Sequence, residues 1–182
     1  MFPLFETICI EQGSIQNVLY HEQRFANSYS VYYGKQPNYS LFNGVDLSNL
    51  DLAKKYKLKI SYDDSGTSWA ITEYRNTIPT TLQLVFDDTI DYSVKYTDRE
   101  KLDALHEQRN DFDDVLIVKN GLITDASYAN ILFKKGEKLV IPKKPLLHGT
   151  CRARLLATKT VKEKDILPAL LREIKKLDME LR

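Results

Sequence analysis

At 182 residues, 43% hydrophobic and 28% charged, with a formal net charge of +1, the chain can bury a core for one ordinary domain or two small ones. It carries no excess of either charge of the kind a nucleic-acid or membrane surface requires. A bridge between its two cysteines, Cys9 and Cys151, is possible in principle, but two isolated cysteines in a chain this long fit a reducing compartment better. Met1-Phe-Pro-Leu-Phe-Glu6 lacks the basic start of a signal peptide, and no apolar run approaches the ~18 residues of a membrane helix. The expectation is a cytoplasmic protein whose partners are small molecules or proteins.

Residues 2–12 alternate loosely, meet Gly13-Ser14 and resume at Ile15, Val18 and Leu19, which predicts two strands joined by a Gln12-Gly13 turn. Residues 21–33 read as a helix, with Arg24 in its first turns. On the pattern alone Arg24 is a solvent-facing arginine, since charged residues are mostly exposed. Residues 34–49 are polar and turn-rich. Apolar positions at 47, 50, 52 and 53 predict a short helix over 47–57. Residues 58–62, 69–74 and 82–86 read as strands of an antiparallel set, separated by Asp63-Asp64-Ser65-Gly66 and Pro79. Asp87-Asp88-Thr89 is the expected linker between an N-terminal α+β lobe, 1–88, and a C-terminal lobe, 89–182.

The second lobe opens on a strict alternation over 90–96, which predicts a strand with Ile90, Tyr92, Val94 and Tyr96 on one face and Asp91, Ser93 and Lys95 on the other. The plain reading of Lys95 is a lysine on the wet face of that strand. Thr97-Asp98-Arg99-Glu100 is a capping-box pattern, predicting a helix through Leu102, Leu105 and Phe112. Three strands follow at 115–118, 131–133 and 139–141, bounded by Asn120-Gly121, Lys135-Gly136 and Pro142, and the Asn-Gly pair signals a type I′ hairpin. Pro142-Lys-Lys-Pro145 cannot extend a sheet, and His148-Gly149-Thr150 opens a helix through Ala157. A glycine just ahead of a helix start is where backbone N–H groups point outward at an anion. Residues 164–182 read as a helix patterned at Leu167, Leu170, Leu171, Ile174 and Leu177. By pattern, Asp125 is a turn-forming aspartate and Tyr74-Arg75 the end of an edge strand. His21, His106 and His148 have no metal-ligand spacing, so no metal is expected.

Taken in order, Glu6-Thr7-Ile8 with Tyr20-His21-Glu22-Gln23-Arg24, then Lys95-Tyr96-Thr97-Asp98-Arg99, then 113–156 together resemble the class IV aminotransferase family. These are the fold-type IV pyridoxal-phosphate enzymes, which include branched-chain aminotransferase, D-amino-acid aminotransferase and aminodeoxychorismate lyase. The resemblance implies an α+β, two-lobed fold-type IV architecture like that of D-amino-acid aminotransferase, C-terminally shortened against typical members. It also implies pyridoxal 5′-phosphate as cofactor and a homodimer.

Lys95 matches the lysine that forms the reversible Schiff base with the cofactor. Freed by exchange with substrate, the same amine is the general base, a role that burial or nearby positive charge favours by promoting loss of its proton. Arg24 matches the phosphate-holding arginine, suited to the task because a guanidinium is permanently charged and grips two oxygens at once. The amides after Gly149, those of Thr150 and Cys151, match the phosphate-binding turn. Asp125 stands where most of the family has a glutamate paired with the pyridinium nitrogen, and Asn130 matches a structural asparagine. Tyr74, Arg75 and Arg99 fall on the substrate side. Arg99 matches an arginine of the lyase-like members, while Glu100 stands where aminotransferases usually have a tyrosine. The implied activity is therefore conversion of 4-amino-4-deoxychorismate to p-aminobenzoate and pyruvate, in the folate pathway. The alternatives are an aminotransferase of the branched-chain/D-amino-acid type and a degenerate, non-catalytic member.

Overall fold

Alternation in Leu4-Phe5-Glu6-Thr7-Ile8-Cys9-Ile10 becomes strand β1 (Leu4–Glu11), with Leu4, Ile8 and Ile10 buried on one face. The computed structural model to which it belongs describes residues 2–74, 79–173 and 176–181. The chain divides into two units, Met1–Asn76 with Val94–Asp98, and Thr77–Ser93 with Arg99–Arg182. The linker expected at 87–89 lies inside the second unit.

In the first unit β1 pairs antiparallel with β2 (Ser14–Ile15) across the Gln12-Gly13 turn and with β3 (Lys55–Asp63) in the register Leu4↔Tyr62 to Glu11↔Lys55. Strand β4 (Gly66–Glu73) completes the order β2-β1-β3-β4. Helix α1 (Val18–Tyr33) lays Phe25 and Tyr29 onto Leu4, Ile8, Ile10, Leu58, Ile60 and Tyr62. The Phe25 and Tyr62 rings meet edge to face, with centroids 4.8 Å apart. Each fully buried side chain of this kind contributes roughly 1.5–3 kcal/mol, so the packing of helix on sheet holds the unit.

Residues 47–57 do not form the expected helix. Asp46 Oδ1 accepts the Ser48 N–H and Asp51 Oδ1 the Ala53 N–H, so side chains take the amides a helix would need. From Lys55 onward the backbone pairs with β1 instead.

In the second unit the sheet runs β10-β9-β8-β7-β6-β5, with β11 antiparallel to β8. Its strands are β5 (Leu82–Phe86), β6 (Asp114–Lys119), β7 (Leu122–Ala126), β8 (Asn130–Lys135), β9 (Lys138–Pro142), β10 (Lys162–Lys164) and β11 (Lys176–Leu181). Asn120 and Gly121 both have positive φ, 51° and 74°, the backbone of a type I′ turn, and they join β6 to β7 as the Asn-Gly pair predicts. Strand β5, expected among antiparallel partners, pairs parallel with β6. The buried core is Leu116, Val118, Ile123, Ala126, Ile131, Phe133 and Ile166, with a second cluster of Leu132, Ile141 and Val161 under helix α3 (Thr150–Ala157).

Three further expectations are corrected. Residues 90–96 are not a strand, although Ile90, Tyr92 and Val94 are buried and Asp91 and Ser93 exposed as the alternation requires. Asp87 Oδ1 accepts the Thr89 and Ile90 amides and Asp91 Oδ1 the Ser93 amide, leaving only a Leu4↔Tyr96 bridge as sheet pairing. Helix α2 (Glu100–His106) starts with Arg99 as N-cap and no side-chain cap bond. It tightens into a 3-10 turn over Glu107–Arg109 before Asn110 at φ 52°, so Phe112 lies beyond it. The C-terminal helix expected over 164–182 is replaced by a 3-10 segment, Pro168–Glu173, and by β11, where pairing with β8 overrides the helical pattern.

Candidate functional site

Each unit carries a group of the residues singled out by sequence. In the first, Glu6 shares the inward face of β1 with Leu4, Ile8 and Ile10 and is fully buried. A carboxylate there needs cationic partners, and α1 supplies them at the spacing of one helix turn. His21 Nδ1 lies 2.7 Å from Glu6 Oε2, Arg24 Nε donates to Glu6 Oε1 at 2.8 Å, and Arg24 Nη2 pairs with Oε2. Burial alone would raise the Glu6 pKa, but the Arg24 charge and the bonds from His21 and Arg24 outweigh it and bring the pKa down to about 2. Arg24 is thus not the exposed arginine of the helix pattern, and one edge of its guanidinium is engaged by Glu6. Glu6 and His21 were not singled out as site residues. The signal for Glu6 was in the alternation, which put one charge among three apolar neighbours.

Lys95 is partly buried in the same unit. Its carbonyl accepts the Phe5 N–H at 3.1 Å, tying the lysine segment to β1. Its Nζ lies 5.0 Å from the centre of the Phe5 ring, and Lys59 Nζ lies 4.9 Å from the same centre. Tyr74 continues from β4, its amide donating to the Lys55 carbonyl at 2.8 Å and its ring under Lys55 Nζ. Arg75 lies outside the described residues.

In the second unit Asp125, near the end of β7, pairs with Asn130, the first residue of β8. Asn130 Nδ2 donates to Asp125 Oδ1 at 2.7 Å and to the Leu147 carbonyl at 2.8 Å. Asp125 Oδ2 accepts the amides of Leu146 and Leu147 at 2.8 and 3.0 Å. Burial pushes the Asp125 carboxyl up to about 6, against the lowering effect of these three bonds and of the Arg152 charge. Arg99 donates to the Tyr92 hydroxyl at 3.3 Å and the Ser127 carbonyl at 2.9 Å, and its Nε lies 3.5 Å from Asp103, so it braces the 125–130 turn.

The loop that Asp125 and Asn130 grip leads directly into α3. Gly149 is the helix N-cap, with no side-chain cap bond and no acid in the first turn, so the leading amides of Thr150 and Cys151 belong to the positive end of the helix. That donor set fits a phosphate. The Cys151 side chain packs toward Leu132, Ile141 and Val161, leaving the backbone as the binding element. Arg152, which the sequence reading passed over, is buried and ties α3 to the Pro142 carbonyl at 3.2 Å and to Glu163. Burial and the same arginine hold the His148 pKa below its usual value.

Gly149 is required here by space. A Cβ at this position would overlap Asn130 Oδ1 and stand 3.2 Å from Asn130 Cγ. Gly149→Ala is therefore expected to lose about 1–3 kcal/mol by overpacking and to weaken phosphate binding. Thermal unfolding and phosphate titration check this, and an unchanged melting temperature would contradict it.

Among the described residues no helix is long and apolar enough to cross a membrane, and no cluster of three or more potential ligands suits a metal ion. The family model for amino-transferase class IV matches residues 93–178. An uncharacterised protein of Haemophilus influenzae is 39% identical over 168 residues, 91% of this chain and 89% of that protein. A crystal structure from Haemophilus somnus 129PT, provisionally assigned as a 4-amino-4-deoxychorismate lyase, is 32% identical. It superposes with a TM-score of 0.86, over 98% of this chain and 95% of that one. An aminotransferase from Brucella abortus bound to pyridoxal phosphate shares the fold at a TM-score of 0.72 and 14% identity, over 97% of this chain and 76% of that one.

Proposed function

We propose, from the premise that this chain belongs to the class IV aminotransferase family of pyridoxal-phosphate enzymes, that it is a lyase converting 4-amino-4-deoxychorismate to p-aminobenzoate and pyruvate. The observation that carries the reading is the 32% identity, across nearly the whole of both chains, to the Haemophilus somnus protein with that provisional assignment. The Lys95-Tyr96-Thr97-Asp98-Arg99 block supports it, with Glu100 in place of an aminotransferase tyrosine.

When bound, pyridoxal phosphate supplies a ring that accepts the electron pair left as a bond at the substrate carbon breaks. The chain's own residues do the rest. The amides of Thr150 and Cys151 would bind the phosphate; Arg24, oriented by Glu6, is a permanent charge suited to an anion. Lys95 Nζ removes the proton from the carbon bearing the substrate amine. Aromatisation of the substrate ring then expels enolpyruvate, which takes up a proton to become pyruvate. The reading includes a homodimer working in the cytoplasm.

The family's own description favours a second reading, an amino-acid aminotransferase, which uses the same lysine and phosphate turn. Protein loaded with pyridoxal phosphate and given 4-amino-4-deoxychorismate is expected to release p-aminobenzoate and pyruvate in equal amounts. Absence of pyruvate, with conversion of the cofactor to its pyridoxamine form by an amino acid alone, would replace the lyase by the aminotransferase.

A further inference from the structure

We propose that Asp125 is a positioning residue that acts on the phosphate turn through the 146–149 loop. It rests on the assignment of the Thr150 and Cys151 amides to the phosphate. Three observations within one unit carry it. Asp125 is 4% exposed, and both of its oxygens are engaged, Oδ1 by Asn130 and Oδ2 by the Leu146 and Leu147 amides. Asn130 closes the clasp from the other side by donating to the Leu147 carbonyl at 2.8 Å. Two residues on, Gly149 packs so tightly on Asn130 that a Cβ would overlap its Oδ1, so the clasp reaches the residue that caps α3.

The physical logic is one of reach and of counting donors. Pro142 ends β9 in its pairing with Lys164, and no strand pairing follows before α3, so the amides at 146 and 147 take their acceptor from elsewhere. A buried carboxylate supplies two in one group, with charge-assisted bonds. Aspartate suits this work better than the longer glutamate, because Asp125 and Asn130 are directly paired across β7 and β8 and a short side chain keeps the contact close. An aspartate committed to three N–H groups fixes where the loop leaves the sheet, and hence where the helix presents its first amides.

The test compares the wild type with Asp125→Ala and Asp125→Asn. Hydrogen exchange on the ligand-free proteins is read at the Leu146 and Leu147 amides, with Ile117 and Ile123 in the buried sheet as folding controls. Affinities are measured for pyridoxal phosphate, for inorganic phosphate, and for pyridoxal, which has the ring and no phosphate. Asp125→Ala is expected to speed exchange at 146 and 147 by about tenfold or more while the controls hold. It should weaken both phosphate-bearing ligands by a similar factor and change pyridoxal by less than about twofold.

Asp125→Asn keeps one oxygen for the loop amides and is expected to restore part of both losses; it carries the test alone if the alanine variant does not fold. Unchanged exchange at 146 and 147 would overturn the clasp. Equal losses for pyridoxal phosphate and pyridoxal would overturn action through the phosphate turn and make Asp125 a ring partner. A wild type that binds the two equally well would instead overturn the assignment of the Gly149 turn to phosphate, a failure separate from that of the clasp.

Discussion

Glu6→Gln is expected to destabilise the protein by about 3–5 kcal/mol, the range for removing one partner of a buried ion pair. The carboxylate is fully buried, and Arg24, at 11% side-chain exposure, keeps its charge whatever faces it. An amide in place of Glu6 leaves that charge without a counter-ion and turns an N–H₂ toward His21 or Arg24, which are donors themselves. In a chain of this length such a loss lowers the melting temperature by roughly 10 °C. The double variant Glu6→Gln/Arg24→Met removes the stranded charge and is expected to regain most of the loss.

The same group sets an acid limit. Its pKa is depressed from 4.5 in the unfolded chain to about 2, so its contribution is complete above pH 4.5 and disappears as pH falls from there to about 2. The shift corresponds to about 3 kcal/mol. Denaturant unfolding of both proteins between pH 7 and pH 2 checks the account. A Glu6→Gln protein within about 1 kcal/mol of wild type at pH 7 would reduce the cluster to the energy of a surface pair.

Lys95→Ala is expected to lower turnover by at least 10²–10⁴-fold, the factor a positioned proton-transfer group supplies, without unfolding the protein. The contact that ties this segment to β1 is made by the Lys95 carbonyl, which alanine retains. What the side chain gives up structurally includes its place over the Phe5 ring, worth about 0.5–1 kcal/mol at an exposed site. Lys95→Arg sharpens the test, since a guanidinium keeps the charge over Phe5 but neither condenses reversibly with a carbonyl nor gives up its proton near neutral pH. It should be as inactive as the alanine variant. Turnover within tenfold of wild type in either variant would remove Lys95 from the chemistry.

Local signals were read well where local physics decides. The Asn120-Gly121 hairpin and the start of α3 after Gly149 follow from residues at single positions, whereas Pro142, expected to end the sheet, still pairs with Lys164. The errors have a common cause. Residues 47–57, 90–96 and 164–182 carry acceptable helix or strand periodicity, yet in the first two aspartate side chains capture the nearby amides, and in the last a distant strand, β8, offers a better partner. The parallel pairing of β5 with β6 is likewise a long-range choice that no window of sequence contains. For the candidate site, Lys95, Arg24 and Gly149 stand out in the sequence because each is the residue type that the proposed chemistry would demand. The clasp of Asp125 and Asn130 on the 146–149 loop was not, because hydrogen bonds between residues some twenty positions apart leave no periodic trace.

The most direct test of the account is chemical trapping. Protein purified with pyridoxal phosphate is reduced with borohydride, digested and examined by mass spectrometry. A phosphopyridoxyl group is expected on the peptide carrying Lys95 and is expected to be absent from Lys95→Ala. A folded protein that carries no label on Lys95 would contradict that expectation and remove the basis for both the lyase and the aminotransferase readings.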